Sequence, residues 1–322
     1  MERLKAMLAP LLDVLLAPVT FLAAHILSLT RRLGIARMPV SRKILHLVGV
    51  FPIRDHYYEP LFRTDRLRKT PGEDRDLPGI DLNAAEQLRL LDRFDFAEEL
   101  SAFPTEGTSK LEFHYHNNAF ESGDAEYLYS IIRLFKPKRI VEVGAGASTL
   151  MVRNAIARNK DEQPNYTCKH LCIEPYEREW LEEIGVELIR KPVEQGDREI
   201  FAELNENDIL LIDSSHVIRP QGDVLTECLE ILPSLSKGVL IHVHDIFTPR
   251  DYPKEWLLDE VRLWNEQYLL EAFLSFNDHF EIIGALNYLA HHHADKLAAK
   301  CPIFAAEREW REPSSLWMRK VK

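Results

Sequence analysis

Only four cysteines, Cys168, Cys172, Cys228 and Cys301, occur among 322 residues, too few and too scattered for a disulfide framework in a chain this size. No second Cys or His pair follows Cys168 and Cys172 at a zinc-like interval, so buried free thiols in a reducing compartment are expected. Basic residues are outnumbered, 40 Lys+Arg against 51 Asp+Glu, for a formal net charge of −11. That balance argues against a nucleic-acid partner, which needs a clustered basic surface. Internal repeats and low-complexity tracts are missing, and 46% hydrophobic residues exclude a disordered chain.

The charge that is present is unevenly spread. Residues 1–70 hold 12 Lys+Arg and 5 Asp+Glu, a net of +7, and the remainder holds 28 against 46, a net of −18. "MLAPLLDVLLAPVTFLAAHILSLTRR" is the most apolar stretch, interrupted by Asp13, His25, Pro10 and Pro18 and followed by Arg31, Arg32, Arg37, Arg42 and Lys43. Its polar breaks disfavour a transmembrane span, its basic flank favours a helix lying in or dipping into an anionic interface, and an ordinary buried helix pairing with the main domain is the third reading. Residues 1–37 are therefore expected to be a membrane-interacting helical segment, residues 38–110 an extended and helical wrap, and residues 111–322 the main domain. The expected location is the cytoplasm, at the inner face of the cell membrane.

From Ser122 onward apolar strands alternate with helices. The strands are "RIVEVG", "HLCIEP", "VELIRKPV", "DILLIDSS", "GVLIHVHDI", "HFEIIGALNY" and "SLWMRKV", and "EWLLDEVRLWNEQYLLEAFLS" reads as one long helix. This pattern predicts an α/β fold, a doubly wound and mostly parallel seven-stranded sheet with an N-terminal helical extension. Ligands bind such sheets at the carboxyl ends of the strands. Five strand ends carry Glu142-Val-Gly144-Ala-Gly146, Glu174-Pro175, Lys191-Pro192, Asp213-Ser-Ser-His216 and His242-Val-His244-Asp245.

A dinucleotide fingerprint needs a third glycine where Thr149 stands, and Glu142 would repel a pyrophosphate while attracting a cationic ligand. Glu142, Gly144, Gly146 and Ser148 resemble the first motif of the class I S-adenosylmethionine-dependent methyltransferases, and Glu174 matches the acid that binds ribose hydroxyls in that family. "LLIDSSHV" followed by "GVLIHVHDI" is similar to the bacterial type 24 branch. The resemblance implies a Rossmann-like fold and S-adenosylmethionine as cofactor, held by Glu142, Gly144, Ala145, Gly146, Ser148, Glu174 and Asp213. Ser122, Gly123 and Asp124 of the entry loop are further cofactor candidates, and Ser122 or Asp124 could cap the following helix.

Asp213, His216 and His244 are the candidate catalytic residues, with His216 either a general base or a rim histidine that bonds the loop. Metal-dependent relatives hold a divalent ion at positions matching Asp213, His244 and Asp245. The imidazole departs from that pattern, and the reading favours a metal-free or weakly metal-assisted site. Asp245, Arg250, Asp251 and Tyr252 are candidates for the acceptor pocket, whose Arg, Asp and aromatic side chains would suit a sugar or polyol. His242 is expected in the sheet packing and His291 to His293 on a solvated surface. The activity expected is O-methylation of a hydroxyl on a sugar, glycan or small polar acceptor. A non-catalytic scaffold of a glycan-assembly complex and, behind it, a nicotinamide-dependent oxidoreductase are the alternatives.

Overall fold

A computed structural model describes residues 2–176 and 178–322, with side chains described at all of these except residues 2–7 and 64. Met1, where the expected membrane segment begins, lies outside them. The chain divides into two compact units, Met1–Arg68 and Lys69–Lys322. The expected wrap is thus split. Residues 69–110 belong to the larger unit because Leu90, Leu91, Phe94 and Leu100 are buried in its core.

The smaller unit contains helix α1 (Glu2–Leu33) and helix α2 (Pro39–Val48). Gly34, at a φ of 90°, sits between them in a backbone region that suits glycine.

The larger unit is a seven-stranded sheet flanked by helices. Its strands are β1 (Arg139–Val143), β2 (Lys169–Ile173), β3 (Glu187–Ile189), β4 (Ile209–Ile212), β5 (Leu240–Val243), β6 (Phe280–Ala285) and β7 (Leu316–Lys320). Their order is β3-β2-β1-β4-β5-β7-β6, and only the pairings of β7 with β5 and β6 are antiparallel. Side chains alternate across the sheet. Ile140, Cys172, Leu211 and Trp317 enter one buried layer, and Val141, Val143, Ile173, Ile212 and Met318 the other. Burial on both faces accounts for the near-continuous apolar runs of the parallel strands. The chain leaves β1 toward β2 and later returns to β4 on the other side, so the switch point lies between β1 and β4.

The expected long helix after β5 is broken. A single π-turn covers Glu255–Asp259, Val261 has a φ of 53°, and a regular helix begins only at Glu266. Trp256 and Trp264 pack together under the Arg262 guanidinium, and the backbone N–H groups of Asn265 and Glu266 both donate to the His216 carbonyl. The break therefore brings the start of the last segment onto the loop after β4.

Candidate active site

The carboxyl ends of β1, β2 and β4 surround a cleft of about 600 Å³ lined by Gly144 to Ser148, Glu174 to Tyr176, Arg178, Asp213 to Ser215 and residues 219–223. Gly144, at a φ of 82°, makes the bend possible. A Cβ there would lie 1.8 Å from the Asp213 carbonyl oxygen, so no larger residue fits. Glu174 faces the cleft from the end of β2. One oxygen accepts from the Ala145 amide at 3.2 Å and the other from the Tyr176 amide at 2.8 Å, which fixes the carboxylate and leaves lone pairs free for a ligand.

Glu142, expected to help bind the cofactor, does not line this cleft. Alternation on β1 turns it into the layer of Ile140, opposite Cys172 of β2. It is 1% exposed, accepting from the Ser148 hydroxyl at 2.5 Å and bonded to His170 Nε2 at 2.9 Å. Gly144, Ala145, Gly146 and Ser148 do line the cleft.

Asp213 stands at the end of β4 with its side chain half-exposed, and behind it lies His216. His216 Nε2 is 3.3 Å from Asp213 and 3.6 Å from Asp245, while Nδ1 is 2.8 Å from Glu266. His216 and Asp245 both have left-handed backbones, at φ of 59° and 56°. Such conformations are uncommon for residues other than glycine and persist only where the surroundings impose them. Burial disfavours a charged His216, but the hydrogen bonds it donates to Asp213 and Glu266 outweigh that and hold its pKa well above the usual range. Dehydration likewise opposes ionisation of Asp213, and His216 and His244 overcome it, bringing that carboxyl down to about 2. Burial raises the pKa of Glu266. Behind it, burial and then the nearby Glu266 charge push Glu227 well up, with Ser214 donating to Glu227 at 2.9 Å.

His244 stays close to the expected pair, with Nε2 3.7 Å from Asp245 Oδ1, but the three-donor group around Asp213 and Asp245 has another imidazole as its third member. His216 takes that place, its nearest donor atom and those of the two carboxylates lying within 4.8 Å of one another. His244 projects from the sheet toward Phe120, with ring centroids 5.1 Å apart, and its Nδ1 is buried without a hydrogen-bond partner. His242 is buried and stacks on Trp317 at 4.9 Å.

The entry-loop candidates also lie away from the cleft lining. Ser122 donates to Glu307, Gly123 takes the capping position with its amide on Glu126, and Asp124 accepts from the Ser314 and Ser315 amides. Neither Ser122 nor Asp124 caps the helix. Arg250, Asp251 and Tyr252, expected in the acceptor pocket, make contacts within the protein. Arg250 bonds Asp74, Asp251 bonds Arg75 and Tyr268, and Tyr252 is buried with its hydroxyl accepting from the Gln267 amide. His291 and His292 pair with Glu312 and Asp74.

Sequence reasoning missed Glu266. A signal existed, because Gln267, Leu270, Glu271 and Leu274 share a helical spacing of three and four with polar groups on the inward face.

Residues 141–246 match the Methyltransferase domain family of type 24. An uncharacterized protein from Archaeoglobus fulgidus is 30% identical over 173 residues, which span 50% of this chain and 76% of that protein. Among solved structures, an O-methyltransferase from Bacillus cereus in complex with SAH is 12% identical with a TM-score of 0.36, over 80% of this chain and 94% of that one. The MycE methyltransferase from the mycinamycin biosynthetic pathway, in complex with Mg, SAH and mycinamycin VI, is 14% identical with a TM-score of 0.36, over 71% and 56%.

Proposed function

Residues 141–246 match the type 24 methyltransferase domain family, and from that premise we propose that the chain is a class I S-adenosylmethionine-dependent enzyme that methylates a hydroxyl of a sugar, glycan or small polar acceptor at the inner face of a membrane. The observation that carries this reading is the placement of Glu174 and Asp213 on one cleft at the switch point, with His216, Asp245 and Glu266 directly behind Asp213. A cleft of about 600 Å³ suits a nucleoside-sized ligand. S-adenosylmethionine, when bound, supplies a methyl group on a positively charged sulfur. Glu174 is free to accept from ribose hydroxyls, and the Ala145 loop can approach closely because Gly144 carries no side chain.

Three carboxylates surround one imidazole, so the resting group is negative even with His216 protonated. A cation arriving beside Asp213 competes with that proton, because like charges disfavour one another. His216 then loses its proton to solvent and, held in orientation by Glu266, can take the acceptor hydroxyl's proton by way of Asp213 on the cleft wall. Trp264, whose ring centroid is 4.3 Å from that of His216, offers an aromatic surface for a sugar ring nearby.

A second reading has a divalent ion take the same role between Asp213 and Asp245, with His216 as the third donor. The close approach of these donor atoms favours it. Calorimetry with S-adenosylmethionine in buffers of different ionisation enthalpy tests the common element: binding is expected to release protons. Heat with NAD and none with S-adenosylmethionine would overturn the reading. Turnover lost in EDTA and restored by an added divalent ion would select the metal-dependent form.

A further inference from the structure

We propose that α1 crosses a lipid bilayer once, with residues 1–7 on the outer side and residues 34–322 in the cytoplasm, and that α2 lies in the anionic headgroup layer of the cytoplasmic leaflet. This goes beyond the membrane contact in the proposed function, and it is independent of the chemistry.

The apolar part of α1, Leu8–Leu33, has 26 residues. At about 1.5 Å per residue it is about 39 Å long, enough to cross a hydrocarbon core of about 30 Å with some tilt. Twelve of its large apolar side chains are 45–72% exposed. At about 100° per residue they cover an arc of about 220°, and the remaining stripe is mostly small: Ala9, Ala17, Thr20 and Ala24, with Asp13.

A helix lying in an interface needs a strongly charged face. Between Leu8 and Thr30 the one charged residue is Asp13. The interfacial placement favoured by the polar interruptions therefore lacks its main requirement. Asp13 costs up to about 3 kcal/mol in a membrane helix, against about 0.3 to 0.6 gained by each Leu, Ile, Val or Phe. Thirteen such residues occur from Leu8 to Leu33. Asp13 is also only five residues from Leu8, about 8 Å along the axis, where it can reach the outer interface. Pro10 and Pro18 lie inside an unbroken helix, which membrane helices tolerate.

Orientation follows from the flanks. Arg3 and Lys5 precede the span beside Glu2, whereas Arg31, Arg32, Arg37, Arg42 and Lys43 follow it. The side richer in Lys and Arg stays in the cytoplasm.

Helix α2 has the amphipathic pattern that α1 lacks. Val40, Ile44, Leu47 and Val48 are exposed along one side, and Arg42, Lys43 and His46 occupy the other. Beyond it Tyr57 and Tyr58 are almost fully exposed, as suits the headgroup level. Arg31 ties this region to the end of α1, 3.1 Å from Glu59 and 4.9 Å from the Phe51 ring centre.

The test uses full-length protein in bacterial membranes, with Arg3→Cys and Arg68→Cys variants and a membrane-impermeant maleimide. The protein is expected to stay in the membrane at alkaline pH in carbonate. Arg3→Cys should gain label in right-side-out vesicles and Arg68→Cys only in inverted ones, above the background of the four native thiols. Release by carbonate would overturn the span, and reversed labelling would overturn the orientation. An intact mass corresponding to a chain that starts beyond Leu33 would show a cleaved leader and overturn both. None of these readouts depends on methyl transfer, so their failure is distinct from failure of the catalytic reading.

Discussion

Two clusters in the larger unit draw on similar donors. Glu142, His170 and Cys172 are all buried, whereas Asp213, His216 and Asp245 combine a buried imidazole with two partly exposed carboxylates. Each set has its donor atoms within 4.8 Å. Only the second opens toward a ligand, through Asp213 on the cleft wall. Glu142 is one residue inside the end of β1 and shares the inward face, while Asp213 is one residue past β4, where the strand has ended. Position relative to the strand end separates the enclosed cluster from the cleft-facing one more sharply than residue type does.

The strongest way to sharpen this contrast is Asp213→Ala. We expect turnover to fall about 1,000-fold, with circular dichroism and melting showing an intact fold. Normal turnover in that variant would remove the second cluster from the chemistry. Next comes Glu142→Gln, which leaves a buried group incompletely bonded and should cost about 1–3 kcal/mol of stability. Its affinity for S-adenosylmethionine, measured by calorimetry, should stay within about threefold, roughly 0.65 kcal/mol. A large affinity loss at unchanged stability would erase the distinction between the clusters.

A smaller effect concerns pH. The raised pKa of His216 means that the folded protein holds its proton more tightly than the unfolded chain, where the value is about 6.5. The resulting stability is full below about pH 6.5 and is lost as pH rises through the folded value. Melting temperature should fall with rising pH in the wild type and less steeply in His216→Gln. Parallel curves would contradict the charge assignment. The smallest effect is expected for Arg250→Ala: KM for the acceptor should change less than about twofold, while thermal unfolding shifts downward through loss of the Asp74 contact.

The sheet was legible because buried parallel strands write themselves as apolar runs, and the strand-end rule located Glu174 and Asp213. Side-chain direction was harder to read. The first motif gives the position of Glu142 but not its face, and the metal set matched by resemblance, Asp213, His244 and Asp245, does not announce that the His216 ring comes as close to both carboxylates. The partners of Arg250 and Asp251 were illegible for another reason. A loop of prolines and aromatics looks the same whether it lines a pocket or holds a strap, and the partners that decide, Asp74 and Arg75, are about 175 residues away. Glu266 was hidden by the break after β5, which an uninterrupted helical pattern does not announce.

The insertion of β7 between β5 and β6 carries a consequence for how the enzyme matures. During synthesis β6 emerges with no neighbour on its inner side, and the gap closes only when residues 316–320 arrive. The residues just before that strand also reach the active centre, since Ser314 donates its hydroxyl to Asp245 and the Ser314 and Ser315 amides hold Asp124. A nascent chain can therefore shape the cleft at the ends of β1, β2 and β4 well before Asp245 is anchored, which happens only once synthesis has passed Ser314.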